Sequence, residues 1–211
     1  MEAALLSVFF GLFAGVRHAM EPDHLAAVST LVAGRKSSRQ TFGYAATWGL
    51  GHAAVLLLVG GVLFALKCAM PPRLAVLFEL GVAVMLVVLG VRSLLASRRP
   101  HGEHAHAHTI STKAKPAQPF LVGTVHGLAG SGALVAIAMT KATSLAGGLG
   151  FLLVYGVGAM AGMAMLAGVA GVPLARLARH PKGTSVLLAV TGVLCVATGL
   201  GWGLPMIPTL F

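Results

Sequence analysis

The sequence predicts an all-α membrane protein of six transmembrane helices, arranged as two three-helix repeats that run through the bilayer in opposite senses. Of the 211 residues 57% are hydrophobic and 9% charged, and the apolar residues fall in long runs instead of alternating or amphipathic patterns. A membrane helix needs about 20 mostly apolar residues, and six stretches qualify. The two halves also match each other: Val16-Arg17-His18-Ala19 aligns with Thr124-Val125-His126-Gly127, and Trp48-Gly49-Leu50-Gly51 with Tyr155-Gly156-Val157-Gly158. Because each half has an odd number of spans, the second half is expected to be inverted relative to the first.

The six spans are expected at Ala3 to Gly34, Gly43 to Leu66, Leu74 to Ala96, Phe120 to Thr140, Leu145 to Leu174 and Thr184 to Leu204. This divides the chain into a first repeat (1–96), a polar linker (97–119) carrying His101, His104, His106 and His108, and a second repeat (120–211). The first span is expected to stay attached, since Glu2 stands where a signal peptide is basic and the apolar run is too long for one.

A formal charge of +10 would point to nucleic acid in a soluble protein, but here the basic residues sit between spans, so no nucleic-acid partner is expected. The first, third and fifth connections hold Arg35, Lys36, Arg39, Arg98, Arg99, Lys113, Lys115, Arg176, Arg179 and Lys182; the second and fourth hold Lys67, Arg73 and Lys141. The odd connections should face the cytoplasm, which puts both termini outside a cell inner membrane.

Cys68 and Cys195 stand apart, without a Cys-x-x-Cys pair, and read as small packing residues. Met160, Met163 and Met165 read as gap-fillers in a bundle before they read as a soft-metal path. Glycines four apart, such as Gly158 and Gly162, fit close helix packing.

The informative segment is Arg17-His18-Ala19-Met20-Glu21-Pro22-Asp23-His24. Its depth follows from lengths. Ala3 to Val16 makes roughly 21 Å of helix and Leu25 to Gly34 roughly 15 Å, so neither flank crosses a core of about 30 Å alone and the polar cluster lies inside the membrane. A carboxylate there costs about 2.5 to 3.5 kcal/mol, which calls for a partner, a cavity or an ion. On a straight helix His18 and Asp23 point about 140° apart and cannot share an ion. Pro22 cannot donate to the carbonyl of His18 and biases Glu21 away from helical geometry, so the span is expected to kink or unwind here.

Imidazoles with one carboxylate suit nickel, cobalt, zinc or copper(II), whereas magnesium and calcium prefer oxygen. His52, in the second span, is a natural further ligand or else a packing histidine, and His126, the counterpart of His18 in the second half, is an additional candidate. The bland alternative for the cluster pairs Arg17 with Glu21 and uses Asp23 to cap the resumed helix. For the linker histidines the alternatives are a solvated segment or weak, exchangeable metal capture.

His18 followed after four residues by Asp23-His24 resembles the His-x4-Asp-His signature of the nickel/cobalt transporter family, and Gly51-His52-Ala53 resembles its next histidine motif. The short six-span form with Val125-His126-Gly127-Leu128-Ala129-Gly130 is similar to that family's urease-accessory nickel permease branch. The chain lacks the extra spans of longer members, and its second motif is reduced to Ala53-Ala54 after His52. The resemblance implies a permease, not an enzyme. It implies nickel or cobalt as transported substrate with no catalytic cofactor, and His18, Asp23, His24 and His52 as metal-handling residues. The partners expected are the bilayer and a divalent ion, with metalloenzyme maturation proteins or further copies of the chain as protein candidates.

Two other readings compete. Gly130-Ser131-Gly132 in the fourth span is similar to the nucleophile motif of rhomboid proteases, yet the sixth span offers no histidine as base. A non-conducting accessory membrane subunit is the other, and no Gly-x4-Gly-Lys-[Ser/Thr] loop is present for ATP coupling within this chain.

Overall fold

The computed structural model describes residues 2–33, 38–98, 117–141, 144–177 and 180–210. Every regular element among them is helical: α1 (Glu2–Ala19), α2 (Pro22–Val32), α3 (Ser38–Val55), a π-helical turn (Leu56–Gly60), α4 (Gly61–Ala65), α5 (Pro72–Ser97), α6 (Ala117–Lys141), α7 (Leu145–Leu177), α8 (Pro181–Gly203) and a 3-10 segment (Leu204–Leu210). Four helical stretches, Thr41–Ala65, Pro72–Ser97, Leu145–Val169 and Lys182–Leu210, are long and apolar enough to cross a membrane. Ala117–Gly132 and Leu134–Thr140, bent by 46°, make a fifth if taken together. On α1, Leu6, Phe9 and Phe13 are each more than two-thirds exposed, the pattern of an apolar helix whose outer face is not covered by the described residues.

The first apolar run is broken where Pro22 predicts it. Ala19 ends α1 and Pro22 opens α2 at its first turn, with Glu21 extended (φ −65°, ψ 149°) between them. Proline is tolerated there because the first-turn N–H has no intrahelical acceptor in any case.

Helix pairing follows from small residues. α1 packs along α7 in parallel: a methyl on Gly15 would run into the backbone of Tyr155 and Ala159, and one on Gly158 into the carbonyl of Leu12. α3 packs along α6 in parallel by the same device, with Gly123 against the carbonyl of Trp48 and Gly51 against that of Phe120. Only glycine lets backbones approach so closely. α3 also runs antiparallel to α7, with Gly49 on Met160 and Gly156 on Ala53, while α5 and α8 cross antiparallel with Gly90 and Gly192 face to face. The two α1–α7 glycine contacts and the two α3–α6 ones are related residue by residue through the offsets, 107 or 108, that align the halves in sequence.

One core cluster joins Ala26, Ala27 and Val28 of α2 to Trp48, Val82, Leu86, Met163 and Cys195. A second joins Leu56, Leu134, Phe151 and Leu152. Met163 is buried in packing, the gap-filling role expected of it, whereas Met165 faces outward and fills no gap in the bundle. Cys195 is buried as expected, but Cys68 is exposed on the turn between α4 and α5, where nothing packs on it as a small apolar residue would require.

Candidate metal centre

The break between α1 and α2 turns three side chains to one side. His18 is in the last turn of α1, while Asp23 and His24 open α2, so the extended Glu21 between them changes the register of the turns and brings these side chains to a common point. α3 supplies His52 and α6 supplies His126, held close by Gly127, where an added methyl would strike the His52 backbone and Val55.

His24, His52 and His126 are buried to 1%, 0% and 1% exposure. The rings of His18 and His24 lie 4.5 Å apart, those of His18 and His52 and of His24 and His52 5.3 Å, and those of His24 and His126 4.1 Å. Two overlapping sets bring one ligand atom from each residue within 4.8 Å: His18, His24 and His52, and Asp23, His24 and His126. Metal–nitrogen bonds of about 2.1 Å allow two donors on one ion to be at most about 4.2 Å apart, so the three imidazoles need to close only slightly around an ion.

The two sets differ in what their atoms already do. Both oxygens of Asp23 are engaged, Oδ1 with His24 Nδ1 at 3.1 Å and Oδ2 with His126 Nε2 at 2.8 Å. His18 Nδ1 meets Glu21 Oε2 at 2.9 Å. An ionised carboxylate only accepts, so these ring nitrogens carry the protons and the opposite nitrogens are left as lone pairs. Those opposite atoms, His18 Nε2, His24 Nε2 and His126 Nδ1, are buried without a protein partner, as are both ring nitrogens of His52 and Nε1 of Trp48. Buried polar atoms are normally satisfied, at a cost of about 1 to 3 kcal/mol each when they are not, so the imidazole lone pairs of this group fit a cation as ligand, while the indole N–H of Trp48, a donor only, does not. The carboxylate–imidazole pairs are the arrangement that orients metal-binding histidines and fixes their tautomer.

The structure therefore brings together His18, Asp23, His24, His52 and His126, all five of the expected intramembrane residues. The linker histidines His101, His104, His106 and His108 lie outside the described residues. The bland alternative is not what the side chains do, since Glu21 bonds His18, and Asp23, in the first turn of α2, makes its bonds to histidines across the site. Ser131 is buried and donates to the carbonyl of Leu128 at 2.7 Å in its own helix, which leaves the protease reading without an activated hydroxyl.

Beside the site is a cavity of about 290 Å³. Its walls include His18, Asp23, His24 and His126, and also Glu21, Tyr155, Trp202 and Glu79, a residue of α5 that the sequence reading passed over. The same signal that drew attention to Asp23 was present for Glu79: it is the only acidic residue in its apolar stretch.

Among known proteins, the urease accessory protein UreH of Bacillus sp. (strain TB-90) is 32% identical over 209 residues, covering 94% of this chain and 91% of that protein. Two Arabidopsis thaliana chloroplast proteins, FOR GROWTH AND FERTILITY 1 and 2, are each 30% identical, over 93% and 75% of this chain but only 58% and 45% of their own lengths. No protein-family model and no solved structure matches the chain.

Proposed function

The chain belongs to the family of the urease accessory protein UreH, and from that premise we propose that it is a permease carrying a divalent transition metal, nickel first, across a cell inner membrane. The observation that carries this reading is the group of inward, unpartnered imidazole nitrogens of His18, His24 and His52 at a helix break within an apolar span. Nitrogen donors favour nickel, cobalt or zinc over magnesium and calcium, and a relative named for urease accessory work favours nickel among them.

In this reading His18, His24 and His52 bind the ion, and Asp23 acts through His24 and His126, holding their rings and offsetting part of the dication's charge in a low-dielectric site. His126 Nδ1 is a further donor for the ion as it moves. Cobalt is an alternative cargo on the same donor chemistry. The metal is substrate, so the site must bind it firmly enough to strip water yet release it.

The six-span, inverted-repeat architecture is part of the proposal. We read α1 with α2 as one broken span and bent α6 as another, beside the four continuous helices that are long and apolar enough to cross. The matching glycine contacts of α1–α7 and α3–α6 support an inverted repeat. The odd connections are taken as cytoplasmic and both termini as outside. The direction proposed is uptake, with the linker histidines capturing metal weakly on the inner side. Metalloenzyme maturation proteins, or other copies of the chain, are the protein partners that would take the metal onward.

The test is nickel entry into liposomes containing the purified chain alone. Wild-type protein is expected to load the vesicles, and His24→Ala, inserted at the same level, is expected to lose nearly all of that flux. Nickel entry by His24→Ala at the wild-type rate would refute the site, and a wild-type chain that moves no metal alone would favour the accessory-subunit reading.

A further inference from the structure

The imidazole site explains where an ion is stripped of water but not how a hydrated ion reaches it. The cavity supplies the route. Parallel pairing of α1 with α7 and of α3 with α6 puts the ends of α3, α4 and α6, the starts of α5 and α7, and the end of α8 at one end of the bundle. Glu79 of early α5, Ile137 of late α6, Tyr155 of early α7 and Trp202 of late α8 all line the cavity, so it extends from the histidines toward that end. In the other direction Ala26, Ala27 and Val28 of α2 pack into a buried core with Trp48, Leu86 and Met163.

Glu79 is seven residues into α5 from Pro72, roughly 10 Å along the helix. It is half-buried, and Trp202 lines the same cavity. A carboxylate at this depth is costly unless it serves the cavity it faces. Six first-shell waters take up roughly 180 Å³ at about 30 Å³ each. The 290 Å³ cavity therefore has room for an ion that still keeps most of its water.

We propose that Glu79 is the capture residue of the permease, holding a hydrated divalent cation in the cavity before it passes to His18, His24 and His52. The inference rests on the permease reading above. Oxygen donors hold aquated cations through their water shell, while imidazoles bind them directly, so the two ends of the cavity divide capture from dehydration. Glu79 acts by charge in a wet space, where its attraction for a dication raises local concentration about tenfold.

The test uses the full chain in liposomes, with nickel as probe, comparing wild type, Glu79→Gln, Glu79→Asp and His24→Ala. Glu79→Gln keeps the size and removes the charge, and is expected to raise KM about tenfold while the maximal rate stays within about twofold. That deficit should shrink as potassium chloride is added, because screening removes the advantage of the charged residue, and Glu79→Asp should restore most of the affinity. A merely structural glutamate would instead lower the maximal rate with KM unchanged and salt without effect, and that result overturns the inference. So does a wild-type KM in Glu79→Gln alongside an inactive His24→Ala, which leaves the permease reading standing. A wild-type chain that moves no nickel overturns both.

Discussion

Replacing Asp23 by asparagine separates an orienting carboxylate from a packing one, because size and shape are kept while the charge is removed. Asp23 accepts from His24 Nδ1 at 3.1 Å and from His126 Nε2 at 2.8 Å. An asparagine has one carbonyl oxygen and one amide group, so it can accept from one histidine and must present a donor to the other. One of the two rings is then forced to change tautomer or turn. If it is His24, the protonated nitrogen is swung toward the ion and the lone pair away from it. Two charge-assisted hydrogen bonds at about 1.5 to 3 kcal/mol become one neutral bond at about 1, or two such bonds only if a ring changes tautomer. Losing such a supporting partner costs about 10- to 100-fold in metal affinity, or roughly 1.4 to 2.8 kcal/mol. Calorimetric titration of nickel into the purified variant in detergent reads this directly, with liposome flux measured in parallel. Asp23→Asn that inserts normally and binds and carries nickel as wild type does would refute the role assigned to Asp23, and with it the site as drawn.

Three further outcomes are expected. Acidifying the medium should weaken nickel binding and slow transport, since every coordinating imidazole must be free of its proton at the nitrogen that binds; flux that is flat between neutral and mildly acidic buffer would argue against a histidine site. Deleting residues 101–108 should leave the initial rate of nickel entry unchanged and lower only the metal retained on the inner side, because weak capture there acts after the pathway, and loss of initial entry would place the linker in the core mechanism. In intact cells a membrane-impermeant maleimide should label native Cys68, which is exposed on the α4–α5 turn, but not Ala105→Cys in a Cys68→Ser background; labelling of position 105 from outside would reverse the orientation.

Much of the site was legible because membranes make polar residues conspicuous. His18, Asp23 and His24 stand in an apolar run whose flanks are each too short to cross alone, and Pro22 marks where the helix must break, which is where α1 gives way to α2. His126 was reachable through its alignment with His18. The division of labour among these residues was not legible. Whether Asp23 touches an ion or a histidine depends on which nitrogen faces which oxygen, and that is decided by the approach of α3 and α6 across the bundle. The π-helical turn that follows His52 carries no proline or other sequence mark, and Leu56, Leu57, Leu58 and Val59 read as ordinary helix. Glu79 was visible as a charge in an apolar stretch, but only the packing of α5 beside α8 ties it to a cavity shared with Asp23.

The cross-pairing of the halves bears on how the chain is made. α1 finds its close partner in α7, and the glycine contact joins Gly15 to Tyr155, 140 residues later in the chain. At roughly 5 to 20 residues per second of synthesis, α1 waits about 7 to 28 s before that partner exists. Throughout this interval His18, Asp23 and His24 have neither the α6 histidine nor the α7 wall around them. The first three helices therefore cannot finish folding before the rest arrives, and assembly of the metal site is necessarily late, after ribosomal synthesis has passed the second half.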